Sequence, residues 1–252
     1  MLEVLHTIDI FLAFLLFIAG ALAFTLSTIS GGGGALMLIP FLNIFIGISQ
    51  TAPVLNLGAF ISRPSRIIIF WKNIVWKVFW YYVPSAILGA IVAAYLFTEV
   101  KIVWLQIIIG LFLISTFFQY RFGKKERSFN VHLWYFIPLG FIISIIGTFT
   151  GGMGPVLNPF YLNAGITKEE LIGTKAANSF FLGLAQVSSY SYFGLLSKEL
   201  WIYGIILGLG ATIGNLMGKK LLKKMTNKTF RKLVIYIMVI SGIVLLVKAL
   251  TN

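Results

Sequence analysis

Polar positions along this chain come in short clusters, and the apolar positions between them come in long runs. Long apolar runs cover 8–29, 78–97, 102–118, 131–149, 171–196 and 233–250. A helix needs roughly 17 to 25 apolar residues to cross about 30 Å of hydrocarbon, so each run predicts a spanning helix. Four more segments are shorter or interrupted: 35–48, 51–71, 155–163 and 201–217. The 51–71 segment is interrupted by Asn56 and then by Ser62-Arg63-Pro64-Ser65-Arg66. The 171–196 run likewise holds polar residues at Lys175, Asn178, Ser179, Gln186, Ser188 and Ser189.

The pattern repeats. Ser30-Gly31-Gly32-Gly33-Gly34 leads into 35–48, and Thr150-Gly151-Gly152-Met153-Gly154 leads into 155–163. Pro40 lies as far beyond Gly33 as Pro159 lies beyond Gly152. Consecutive glycines do not make a comfortable helix, since each costs about 1 kcal/mol relative to Ala. Both runs therefore read as breaks, each followed by a segment too short to cross by itself. The chain divides into a first membrane repeat at 1–120, a basic linker at 121–130 and a second repeat at 131–252. The fold class expected is an all-α polytopic membrane protein of two repeats, with eight full spans and two short Gly/Pro-interrupted segments.

Composition agrees with that class, for 59% of the 252 residues are hydrophobic and only 11% are charged. The net charge of +13 does not point to nucleic acid, because the basic residues sit in short loops between apolar runs. If all five segments of each half cross, 17 of the 20 Lys and Arg fall on one side, which the positive-inside rule makes cytoplasmic. Both chain ends are then outside. An odd number of crossings per half inserts the halves upside down, and inverted repeats with matched broken segments point to a secondary transporter with its site near the midplane. The N-terminus, with Glu3, His6 and Asp9 and no basic residue ahead of a long run, does not read as a cleaved signal, so the first span is expected to stay.

Broken helices at membrane depth are tolerated only where protein covers them or they line a cavity. The segment restarting after each break presents free N–H groups and a positive dipole end, an anion site by construction. The expected substrate-binding residues are therefore Gly31, Gly32, Gly33, Gly34 and Pro40 in the first half and Gly151, Gly152, Gly154 and Pro159 in the second. Arg63, Arg66 and Lys175 add charge, and Asn56, Asn158, Asn178, Ser179 and Gln186 add hydrogen-bonding groups.

All seven carboxylates, Glu3, Asp9, Glu99, Glu126, Glu169, Glu170 and Glu199, lie in turns, at termini or at span edges. That disfavours a pump or cation transporter and favours an anionic substrate. Coupling to H+ or Na+ stays open, since backbone carbonyls at a broken helix also bind Na+. The chain has no cysteine, and His6 and His132 sit at segment ends without partners, so neither an enzyme, a metal site nor a cofactor is expected. The expected partners are the small anion, the lipid bilayer and further copies of the chain. A non-transporting membrane subunit or assembly factor, or a cation-coupled transporter of another small solute, fits the same composition.

The first-half stretch ISGGGGALMLIPFLNIFIGISQTAPVLNLGAF and its second-half copy GTFTGGMGPVLNPFYLNAGITKEELIGTKAANSF together resemble the TauE/SafE family of sulfite and organosulfonate exporters. The resemblance runs from about residue 8 to 250 and implies a cell-membrane protein that moves sulfite, sulfoacetate or related sulfonates. Its motif residues are the glycines and prolines named above. The second copy departs from the uninterrupted run at Met153 and Pro155.

Overall fold

The computed structural model describes residues 9–96, 107, 110, 111, 113–115, 117, 118, 129–150, 154–192 and 194–251. Regular structure among the described residues is entirely helical. In chain order the α-helices are α1 (Ile10–Ile29), α2 (Gly34–Ile46), α3 (Ile48–Ile69), α4 (Trp76–Leu96), α5 (Phe136–Thr150), α6 (Asn158–Asn163), α7 (Lys168–Tyr192), α8 (Lys198–Lys224) and α9 (Asn227–Thr251). The described positions between 107 and 118 are helical too.

The first glycine run does break the chain. α1 stops at Ile29, and Gly31, Gly32 and Gly33 take φ values of 70°, 135° and 92°, a sequence of left-handed conformations that side chains oppose. Gly33 then caps α2 without any side-chain hydrogen bond. Most of the second run, 151–153, lies outside the described residues, as does most of the predicted 102–118 span. Past the second run the chain continues as a 3₁₀ turn, Gly154–Leu157, and the six-residue α6.

The polar residues at 62–66 do not end the 51–71 segment: α3 runs unbroken with Pro53 and Pro64 inside it. One proline deprives one carbonyl of its helical donor, whereas a full break would orphan several backbone groups in a dry interior. α8 also continues past residue 217 to Lys224, because lysines are good helix formers whose ammonium heads stay in water.

Residue pairs across the interfaces fix how the helices run. α1 and α8 are parallel, with Phe17 against Gly210, Ala21 against Gly214 and Thr28 against Gly218. α3 lies parallel to α8 through Leu57 on Gly204 and Ile61 on Gly208. α4 and α5 are parallel through Tyr82 on Gly140 and Gly89 on Phe141. α3 and α7 run antiparallel, as Asn56 meets Tyr190 and Phe60 stacks on Phe180. Gly210 shows why the α1/α8 face needs glycine: a Cβ there would collide with the Phe17 carbonyl.

Two buried clusters result, one around Leu16, Leu42, Leu57 and Leu207 and the other around Val78, Phe136, Tyr161 and Val234. Large apolar side chains, among them Phe14, Leu22, Ile44, Ile68, Trp80 and Ile91, are exposed on the outside. A surface of that kind suits hydrocarbon and not water. Among the described residues, α1 and α8 are long and apolar enough to cross a membrane by length and composition.

Candidate anion-binding site

Between the two clusters lies a cavity of about 190 Å³, far more than one water molecule occupies. α1 contributes Phe24 and Ser27, the glycine break contributes Gly31, Gly32 and Gly33, and α3 contributes Asn56, Ser62, Arg63 and Arg66. Tyr82 enters from α4, Ser144 from α5 and Tyr161 from α6. α7 supplies Lys175, Asn178, Ser179 and Gln186. Both halves of the chain thus build one chamber.

The glycine break is held by its own backbone. The Gly32 N–H donates to the Ser27 carbonyl at 2.9 Å, and Ser30 Oγ lies 2.7 Å from the carbonyl oxygens of both Leu26 and Gly32. The Gly31 carbonyl accepts a hydrogen bond from Lys175 Nζ. The same ammonium donates to Asn158 Oδ1 at 2.6 Å. Lys175 therefore joins the first-half break to the short helix of the second half. At Gly31 the break offers a carbonyl to a cation, and Gly32 has its N–H engaged, which differs from the expectation of a break acting purely through exposed N–H groups.

Arg66 is held by an amide. Its Nε donates to Asn215 Oδ1 at 2.6 Å, and Nη2 reaches the Phe24 carbonyl at 3.3 Å, with the guanidinium carbon 5.3 Å from the Phe24 ring centre. Asn215 spends its own N–H groups on the Ser62 carbonyl at 3.0 Å and Ser65 Oγ at 2.9 Å, which fixes which way its oxygen points. Arg63 is different. Its Nη1 is buried and has no acceptor among the described residues, and it stands where a Cβ on Gly183 would sit.

Asn158 Nδ2 and Asn178 Oδ1 are buried and likewise have no partner among the described residues. Buried polar atoms are normally paired, so a cluster of three orphans around one cavity marks a place where a ligand completes the bonding. The electrostatics point the same way. Arg63, Arg66 and Lys175 line the cavity, no carboxylate among the described residues does, and the one ion pair found among them joins Lys168 to Glu169 at 3.4 Å, away from the lining. Three half-buried cations around a cavity that no carboxylate among the described residues lines favour an anion.

Most of the predicted site residues meet here. Gly31, Gly32, Gly33, Asn56, Arg63, Arg66, Lys175, Asn178, Ser179 and Gln186 line the cavity, and Asn158 backs it through Lys175. Asn56 and Asn178 are oriented by donating to Tyr190 Oη at 3.0 Å and Tyr161 Oη at 2.9 Å. Pro159 is buried beside Asn158, and its carbonyl accepts from Asn163 Nδ2 at 2.8 Å. Gly34 lies off the cavity and packs on Ala23 and Ser27 of α1. Pro40 falls in α2 with its side chain outside the described residues, as Gly151 and Gly152 are entirely; Gly154 opens the 3₁₀ turn. Sequence reasoning missed Asn215, the residue that fixes Arg66, although a lone amide in the apolar 201–217 segment was a signal. Tyr82, Tyr161 and Ser144 gave none, because Tyr and Ser also serve ordinary helix packing.

The family profile described as "Sulfite exporter TauE/SafE" matches residues 16–245, nearly the whole chain. No curated protein and no solved structure matches it. The chain belongs to the sulfite exporter TauE/SafE family, membrane transporters and not enzymes, and that membership makes it a multi-pass membrane protein for exporting sulfite or a related sulfur compound.

Proposed function

We propose that the protein is a secondary transporter that exports a small sulfur oxyanion, such as sulfite, sulfoacetate or a related sulfonate, by alternating access around the cavity of Arg63, Arg66 and Lys175. The observation that carries this reading is the convergence on one chamber of three half-buried cations and the unpartnered Arg63 Nη1 and Asn178 Oδ1, with Asn158 Nδ2 behind Lys175 and no carboxylate in the lining among the described residues. The substrate's oxygens take the donors that the protein leaves unused, Arg63 Nη1 and Asn158 Nδ2.

The architecture we propose is two inverted repeats, 1–120 and 131–252, joined by the basic linker 121–130 on the cytoplasmic side, with both termini outside. Its support lies in which helices pair. α1 packs on α8 and α5 packs on α4, so the first helix of each half lies parallel to the fourth segment of the other. Gly89 and Gly214 hold matching places in these two interfaces. One half moving against the other would open the cavity to alternate sides, with Lys175 as the tie between them. Uptake of radiolabelled sulfite or sulfoacetate into liposomes containing the purified protein tests the proposal. Saturable uptake above protein-free vesicles is expected, and none for any sulfur oxyanion would refute it.

A further inference from the structure

The end of the molecule where α8 meets α9 holds a second cavity, of about 150 Å³, far more than one water molecule occupies. Gly165, Thr167 and Lys168 line it from the turn into α7, and Asn227, Phe230 and Arg231 line it from the start of α9. Lys168 builds its wall. Nζ donates to the carbonyls of Leu222, at 3.0 Å, and Met225, which ties the last turn of α8 to the first turn of α7. The carboxylates that follow Lys168 are engaged locally: Glu169 pairs with Lys168 at 3.4 Å, and Glu170 accepts from the Thr167 N–H and hydroxyl, both at 2.8 Å. Residues 219–232 then bring seven lysines and arginines and no acid. Lys220, Lys223, Lys224, Lys228 and Lys232 among them are exposed.

Those cations border an apolar outer surface. On α9 the exposed Lys228 and Lys232 continue at helical spacing into the exposed Tyr236, Ile240 and Ile243. On α8 the exposed Leu216 leads at the same four-residue spacing to Lys220 and Lys224. An outer face of that kind meets hydrocarbon, so the lysines and the mouth of the cavity lie at headgroup depth. A ligand that suits both surfaces has a fixed negative group at that level and apolar chains below it. From this we infer that the cavity at the α8–α9 turn is a binding site for an anionic phospholipid. Its phosphodiester enters beside Arg231, Lys228 and Lys232 hold the charge at the rim, and an acyl chain lies along the Tyr236, Ile240 and Ile243 stripe. The site is apart from the central cavity and stands or falls independently of the transport reading.

The test follows thermal unfolding of the purified full-length protein in detergent micelles at constant ionic strength, titrated with phosphatidylglycerol or with phosphatidylcholine of the same chains. Phosphatidylglycerol is expected to stabilise at a concentration at least about tenfold below that at which phosphatidylcholine has the same effect. Equal concentrations for the two lipids would overturn the proposal. Glycerol phosphate supplies the head without the chains, and if it stabilises at the same concentration as the whole lipid, the site serves a soluble phosphate and the lipid assignment falls. Lys228→Gln with Lys232→Gln leaves the lining of the cavity in place, and it is expected to raise the phosphatidylglycerol required at least about tenfold. Lys72→Gln with Lys77→Gln removes two exposed lysines near the α3–α4 turn, at the same end of the molecule, and is expected to raise it less than about twofold. Equal shifts in the two double variants would show diffuse attraction to a basic face and overturn the site.

Discussion

Gly33 tests whether the glycine break has the shape described, and it can be compared with a second glycine that shares its backbone but not its surroundings. Gly33 has φ 92° and Gly194, in the α7–α8 turn, has φ 66°. Alanine at either position bears the left-handed penalty of about 1–2 kcal/mol. At Gly194 nothing lies within 4 Å of the added Cβ, so the cost ends there. At Gly33 the Cβ would come within 2.6 Å of Ile237 Cγ2 on α9. That methyl belongs to a β-branched side chain in a helix, which is stiff at χ1 and cannot swing aside. Relief then requires moving α9 or the break, which adds about 1–3 kcal/mol of overpacking. Gly33→Ala should therefore lose about 1–3 kcal/mol more than Gly194→Ala when unfolding is followed in mixed micelles. Since Gly33 lines the cavity, its variant should also lose sulfite uptake, while Gly194→Ala keeps it. Equal losses of stability in the two variants would refute the packing of the break against α9.

Asn215→Leu should destabilise by about 3–5 kcal/mol, because Arg66 Nε and the Ser62 carbonyl lose their partner in a buried setting; a loss under about 1 kcal/mol in the same assay would mean Asn215 does not hold Arg66. Gly89→Ala and Gly214→Ala should each cost about 1–3 kcal/mol, since the added methyl meets the Phe141 or Ala21 carbonyl across α4/α5 or α1/α8. If either alanine is accommodated at no cost to thermal stability, that pair of helices is not in close approach. Gly33→Leu should abolish transport while the protein still inserts in the membrane, and retained uptake would remove the glycine break from the mechanism.

How much of this was legible in the sequence depended on the physics behind each signal. The helices were readable because hydrocarbon tolerates little else: the run beginning at residue 8 became α1, and the run 78–97 became α4 within two residues at each end. The first glycine break was equally plain, since three successive positive φ values have no other common source than glycine. Pro64 inside the 51–71 segment does not end α3, because broken backbone has nowhere to bond in a dry interior. Arg63, Arg66 and Lys175 were visible as charges in apolar runs, yet only the fold shows that α3 and α7 aim them into one chamber. Asn215 and Tyr161 stayed hidden because their role lies in what they touch, the Arg66 guanidinium and the Asn178 amide, contacts 149 and 17 residues apart in the chain.

The central claim is that the cavity of Arg63, Arg66 and Lys175 binds a sulfur oxyanion, and a titration of the purified protein with sulfite tests it most directly. Thermal unfolding in detergent is followed against sulfite at ionic strength held constant with gluconate, for the wild type and for Lys175→Gln. Specific binding predicts stabilisation of the wild type that grows with the logarithm of sulfite above Kd, reaching about 2.7 kcal/mol at a hundredfold excess. Lys175→Gln should need at least about tenfold more sulfite for the same effect. Stabilisation that is absent from the wild type, or equal in both proteins, would contradict the account.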